Sequence, residues 1–348
     1  MLTQLSLTNW KSFGPEGPAN PPLPFAPLTL LVGPNASGKS NVLDALRFLQ
    51  GDALGFPQAE VLNGHWEGQR LIWPPIRGGI VEAPHVGTVR FTVKSSWKLS
   101  DGPATYQISV STDDSGLPFK RDEITKTAPP DHAGELRRAL RGIVFLDIQP
   151  SRMRDYQPLS PVLGTSGENI SPVLIRLPND TRGDIVDWLS ELCGPQIEDI
   201  EFVGTGLKEF MMMLVERGGR RISARSVSDG TLRFLGHLVA LLTAPAGTLL
   251  VVEEPDIGLH PSRIRLLAEL LENVTRDRNI QVIATTHSAT LLAHLSPEAL
   301  ANVVAFGRDA DTGDTHCRRL GDLPHFETLR DSKDMEHLIS TGWLERAL

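Results

Sequence analysis

The chain has 348 residues, 40% of them hydrophobic and 22% charged, with a formal net charge of −8; this is the balance of an ordinary globule and excludes a disordered chain or a globally basic nucleic-acid binder. No apolar run approaches the roughly 20 residues that cross a bilayer, and the start MLTQLSLTNWKSF lacks a basic segment followed by an apolar one, so no membrane partner is expected. Cys193 and Cys317 are too few for a disulfide framework or a cysteine zinc site and fit a reducing cytoplasm.

Leu2 to Leu7 alternates apolar and polar residues, which predicts a half-buried strand, and Ser12 to Pro27 reads as a Gly/Pro-rich loop. Leu28 to Val32 is continuously apolar, as a strand covered on both faces is, and a helix is expected from about Ser40 to Gln50. From Gly55 to Lys126, Gly, Pro and Ser abound and Thr88 to Val93 and Tyr106 to Val110 alternate, which predicts an antiparallel β subdomain. Glu135 to Arg141 reads as helix, Ile143 to Ile148 as a buried strand, and Ser151 to Ser171 as a polar, Pro-containing stretch. Asp184 to Cys193 places Ile185, Trp188, Leu189 and Leu192 at helical spacing, and Phe210 to Val215 and Arg220 to Ala224 flank a Gly218-Gly219 turn.

Beyond Thr231 the pattern alternates: helix to Leu242, buried strand Thr248 to Val252, helix Ser262 to Val274, buried strand Gln281 to Thr285. Such alternation predicts an α/β fold with a mainly parallel core sheet, and after His287 a strand, a small hairpin and a C-terminal helix fit. Neither an internal repeat nor a heptad run is present. Arg137, Arg138, Arg141, Arg152 and Arg154 are the nearest approach to a basic cluster, and a solvated helix face followed by a loop explains them better than a DNA patch.

Gly33-Pro34-Asn35-Ala36-Ser37-Gly38-Lys39-Ser40 satisfies G-x-x-x-x-G-K-[ST] between an apolar strand and a helix start. Its glycines let successive N–H groups from Asn35, Ala36, Ser37 and Gly38 point inward, and the helix N-terminus that continues through Asn41 adds partial positive charge. Lys39 is expected on the β and γ phosphates and the Ser40 hydroxyl on Mg2+, which predicts binding of ATP or GTP. Leu249 to Val252 is an apolar strand ending in Glu253 and Glu254; neighbouring strand residues face opposite ways, so one acid addresses the metal and the other the attacking water. A second buried strand ends at His287.

In their order these motifs resemble the ABC-type ATPases of the SMC, RecF and OLD group, within the AAA family. Leu7-Thr8-Asn9-Trp10-Lys11-Ser12-Phe13 is similar to their N-F-[KR]-S-F segment, with Trp10 in place of phenylalanine. Ser226-Val227-Ser228-Asp229-Gly230-Thr231 looks like their signature, Glu253-Glu254-Pro255-Asp256 with Leu259-His260-Pro261 like the E-E-P-[ED]-x-x-L-H-P form of OLD-like members, and Thr285-Thr286-His287-Ser288 like their switch histidine. Glu253 stands where most ABC proteins carry aspartate.

The resemblance implies an ABC-ATPase fold with an antiparallel β subdomain and a short helical lobe, divided as an N-terminal ATPase lobe 1–150, a helical and hairpin lobe 151–225 and a C-terminal ATPase lobe 226–348. It implies that ATP and Mg2+ are the cofactors, that Lys11 joins the phosphate loop in holding nucleotide, and that Ser40 and Glu253 bind magnesium. Glu254 would polarise water, His287 would sense the γ phosphate, and Asp256 would belong to the loop that crosses a dimer interface. Gln149 is the candidate for the glutamine that completes the magnesium shell, with Gln50 as its competitor. Partners implied are a second copy, joined head to tail on ATP binding with Ser228 and Gly230 against the other copy's nucleotide, and an effector on a separate chain, since no coiled coil, hinge or nuclease-like domain is seen; DNA enters through the likeness alone. The competing classes are an ATP-gated signalling scaffold and a transporter ATPase subunit, the last disfavoured because transporters carry L-S-G-G-Q and D-E-P.

Overall fold

The computed structural model describes residues 1–112, 118–122, 133–160, 162–193, 196–324 and 326–327, which divide into two compact units. The first comprises Met1–Ile143, Gly247–Leu249 and Ser296–Leu348; the second comprises Val144–Ala246 and Leu250–Leu295. The result is the mixed α/β fold that the alternating pattern predicts.

In the first unit, five strands form an antiparallel sheet in the order Leu23–Pro24, Leu2–Thr8, Arg90–Leu99, Gly102–Thr112, Pro118–Asp122. Arg90–Leu99 alternates strictly, burying Phe91, Val93, Ser95, Trp97 and Leu99. Phe91 meets Trp10 and Phe48 at centroid separations of 5.0 and 5.6 Å, so the sheet's apolar face closes over the helix Lys39–Leu54. A second layer holds Leu28–Val32, every residue buried, paired in parallel with Val304–Arg308, which in turn pairs antiparallel with Thr315–Arg319.

Three elements here differ from the sequence pattern. The helix Lys39–Leu54 continues four residues beyond Gln50, because Gly51 is a packing position and not a stop: a Cβ there would lie 2.7 Å from Val61 Cγ1. Inside the expected β subdomain lies a helix, Gln58–Asn63, whose Val61 and Leu62 are fully buried. The subdomain also recruits the N-terminal strand, and its last residues, past Asp122, fall outside the described set.

In the second unit, Val144–Leu146 pairs in parallel with the acid-ended strand Leu249–Glu253, and Gln281–Thr286 lies on that strand's other side. The helices Asp229–Thr243 and Pro261–Asp277 bury apolar stripes and pack on each other, the second also against Gln281–Thr286. A separate antiparallel sheet sets Glu209–Glu216 between Ile197–Gly204 on one edge and Gln157–Pro158 with Arg220–Ser223 on the other. The stretch read as polar, Ser151 to Ser171, runs into a short helix, Ile170–Arg176. After His287 this unit ends with the short helix Ala289–Ala293, and the chain returns to the first unit with a second short helix, Pro297–Ala301, and the hairpin; the expected C-terminal helix falls on residues outside the described set.

Candidate functional site

The phosphate loop joins Leu28–Val32 to Lys39–Leu54 by a path that only glycine permits at two points. At Gly33 (φ 154°) a Cβ would lie 2.4 Å from the Phe306 carbonyl oxygen, and at Gly38 (φ 106°) 2.2 Å from Thr315 Oγ1. Gly38 caps the helix without any side-chain cap, and the helix's first turn carries no acid, which leaves its partial positive charge uncompensated. Among the described residues, Ser37 Oγ is buried without a hydrogen-bond partner. An uncapped helix start, a glycine cradle and an orphaned hydroxyl fit a polyphosphate with its magnesium ion.

Within this loop the buried Lys39 Nζ donates to the carbonyls of Gly33 at 2.7 Å and Pro34 at 2.8 Å, so the ammonium closes the loop into a ring. Asn35 and Ala36 form the exposed tip, Ala36 with φ 61°, and Ser40 and Asn41 are half-buried at the helix start.

A hydroxyl chain that no motif announces braces this turn. Thr315 Oγ1 donates to the Ser37 carbonyl at 2.9 Å, which uses its only proton; Ser12 Oγ, 2.6 Å away, must therefore donate to Thr315, and Asn41 Nδ2 donates to Ser12 at 2.7 Å. The segment before Ser12 is tied to the same helix. Trp10, fully buried in the place of the usual phenylalanine, donates its indole N–H to the Asn41 carbonyl at 2.9 Å. Lys11 Nζ donates to Asp44 at 2.7 Å and to the Arg77 carbonyl at 2.6 Å, which makes this residue a strut to the helix.

The second unit carries the acids and the histidine. Glu253 ends its strand exposed, and Glu254 follows at φ 45°, a left-handed conformation costing about 1–2 kcal/mol in a residue with a Cβ. Its backbone N–H, held by the carbonyl and hydroxyl of Thr285 at 3.1 and 3.2 Å, fixes that turn. Glu254 Oε1 then meets His287 Nε2 at 3.2 Å. Asp256 accepts from Thr286 Oγ1 at 2.8 Å, and Thr286 Oγ1 accepts the Ser288 N–H at 2.9 Å. Burial raises the Asp256 carboxyl above its ordinary pKa, against the opposing pull of the Thr286 hydrogen bond. His260 caps Pro261–Asp277, accepting from the Ser262 N–H.

Ser228 caps Asp229–Thr243, its Oγ accepting the Thr231 N–H at 3.2 Å, while a Cβ on Gly230 would lie 2.4 Å from the Gly258 carbonyl oxygen. These residues line an open cavity of about 360 Å³ with His260, Ser262 and Arg263. Of the two glutamines, Gln50 is buried, with its amide donating to the carbonyls of Arg141 and Ile143; Gln149 is half-buried and donates to Asp147 at 2.7 Å.

A glycine-cradled phosphate loop and an acid-ended strand followed by a histidine, on this mixed α/β fold, define an SMC- and OLD-like P-loop ATPase of the ABC type. Among solved structures, an SMC head domain from Thermotoga maritima matches 91% of this chain and 98% of its own length, with TM-score 0.54 and 16% identity. An Smc head bound to the C-winged helix domain of ScpA matches 91% and 96%, with TM-score 0.60 and 16% identity. At such identities the likeness shows the fold alone.

By sequence, the Old nuclease of Escherichia phage P2 is 22% identical over 359 aligned positions, which cover 89% of this chain and 60% of that protein. This chain therefore spans 60% of the length of that relative. The family described as "AAA domain, putative AbiEii toxin, Type IV TA system" matches residues 28–89 and 99–293, and the chain belongs to that family.

Proposed function

We propose that this ATPase binds Mg-ATP on the phosphate loop, hydrolyses it, and while the nucleotide is bound joins a second copy head to tail. The observation that carries the reading is the uncapped, acid-free helix start behind Gly38 with the orphaned Ser37 hydroxyl inside it. Lys39 exchanges the Gly33 and Pro34 carbonyls for phosphate oxygens, and the N–H groups from Asn35 to Asn41 take the rest of the charge. Ser40, Glu253 and Gln149 are the residues that would hold Mg2+, which supplies charge neutralisation on the β and γ phosphates when bound.

Glu254 polarises the attacking water, and His287, 3.2 Å from its carboxylate, holds that carboxylate in place and responds to the γ phosphate. In the dimer, Ser228 and Gly230 of each copy cover the partner's nucleotide, with Asp256 in the loop that crosses between copies. The setting we assign is the cytoplasm, in bacterial defence or DNA repair with a separate effector protein; the toxin named in the family description and the nuclease named for the phage relative favour defence.

Steady-state turnover of the wild type and of Glu254→Gln, with equilibrium Mg-ATP binding measured alongside, tests the proposal. Glu254→Gln is expected to lose about 100-fold or more in kcat while still binding ATP, the range of a lost general base. Turnover that survives the substitution would remove Glu254 from the reaction.

A further inference from the structure

Arg154 lies five residues beyond Gln149, just past the short turn Pro150–Met153, and both terminal nitrogens of its guanidinium bind one target. Nη1 donates to the carbonyls of Ala224, Arg225 and Val227 at 2.9, 2.9 and 2.8 Å, and Nη2 donates to the Asp229 carboxylate. Three acceptors lie in the loop before Ser228 and the fourth, Asp229, opens the helix after it, so one planar fork holds both sides of Ser228.

Two contacts run the opposite way. Arg225 Nη2 reaches Asp155 at 3.1 Å, and Arg233, one turn into the Ser228 helix, donates to the Ile148 carbonyl at 3.0 Å, immediately before Gln149. Ile148 also fills the notch left by Gly236, where a Cβ would lie 2.6 Å from Ile148 Cγ2. The Ile148–Asp155 stretch and the Ala224–Gly236 stretch therefore bind each other in both directions. Neither can shift without breaking several charge-assisted hydrogen bonds.

We propose that Arg154, seconded by Arg233, is a positioning residue that locks the Gln149 stretch to the Ser228 loop, so that the loop's readiness for a partner's nucleotide depends on Arg154 while binding of ATP to a single copy does not. This rests on the head-to-tail reading above. It also reassigns one arginine of the sequence's basic cluster: Arg154 is spent on carbonyls and a carboxylate inside the chain.

The test uses the full chain in the Glu254→Gln background, with light-scattering mass followed across a Mg-ATP titration and binding of a fluorescent ATP analogue measured on the same samples. Arg154→Gln is expected to leave analogue affinity within about 2-fold and to raise the ATP concentration at half-dimerisation by about 10-fold or more, the scale of one lost charge-assisted hydrogen bond. Asp229→Asn, which weakens one of the four contacts, is expected to shift it less. If Arg154→Gln melts at assay temperature, Arg233→Gln serves in its place with the same expected split.

Unchanged half-dimerisation in the folded variant overturns the inference and leaves the ATPase reading intact. Equal losses in binding and dimerisation overturn it too, since they report a purely structural arginine. A parent that never dimerises with Mg-ATP defeats the head-to-tail reading and the inference together.

Discussion

The phosphate loop and the Ser228 loop both feed a helix N-terminus, yet they are held by opposite means. The first is set by small groups at close quarters: two glycines with no room for a Cβ and the hydroxyls of Thr315 and Ser12. The second is set by long arginines reaching from another part of the chain, Arg154 above all. The phosphate loop's shape is set by close packing of backbone and small side chains, whereas the Ser228 loop, tight as it is at Gly230, also depends on arginine contacts that a single substitution removes; the proposed roles, a nucleotide cradle and a contact for a second copy, can therefore be perturbed separately.

The sharpest way to break the comparison is a matched pair of glycine substitutions. Gly38→Ala forces a Cβ to within 2.2 Å of Thr315 Oγ1 at φ 106°, and calorimetric titration with Mg-ATP is expected to show affinity falling about 100-fold or more. Gly230→Ala, clashing with the Gly258 carbonyl oxygen, is expected to leave that affinity nearly unchanged and to abolish nucleotide-dependent dimerisation. Equal effects of the two on binding would erase the distinction.

A second prediction concerns acid stability and belongs to the Ser228 helix. His237 is fully buried there with Nδ1 unpartnered among the described residues, and burial lowers its pKa to about 3, with the nearby Arg233 charge adding to the effect. The unfolded chain takes up a proton below about 6.5 that the folded one refuses, so the stability is complete above that pH and drains away as pH falls toward 3. His237→Leu is expected to flatten this slope, a difference of roughly 2 kcal/mol at pH 5 relative to pH 7.5 by urea denaturation. Parallel slopes in the two proteins would mean the ring titrates freely.

The mildest test lies in the first region. Thr315→Val keeps the shape beside Gly38 but leaves the Ser37 carbonyl without its donor and Ser12 without its acceptor. A loss of about 1–2 kcal/mol in unfolding free energy and a roughly 10-fold weaker ATP affinity are expected, readable by urea melts and titration. No change in either would show that glycine packing alone sets the loop.

The same contrast explains what could be read in advance. The phosphate loop was legible because its requirements fall on consecutive residues between two recognisable elements. Thr315 was not, since it stands 303 residues from Ser12 and belongs to no motif; Arg154 was not, since its partners begin 70 residues away. Among the elements, Ile197–Gly204 carries no sequence signal because only Ile197 and Ile200 are buried, too few to mark a period, and the helix runs through Gly51 because glycine there answers to Val61 and not to a turn. The sequence favours Gln149 over Gln50 as the magnesium-shell glutamine; the structure adds that Gln50 is buried, with its amide spent on the carbonyls of Arg141 and Ile143.

If bound Mg-ATP joins two copies through the Ser228 loops, the light-scattering mass of the wild type and of Glu254→Gln, with and without Mg-ATP, must report it. A monomer without nucleotide, a dimer with it, and a dimer that persists in Glu254→Gln is the predicted result. A single mass that ignores nucleotide in both proteins would contradict the account.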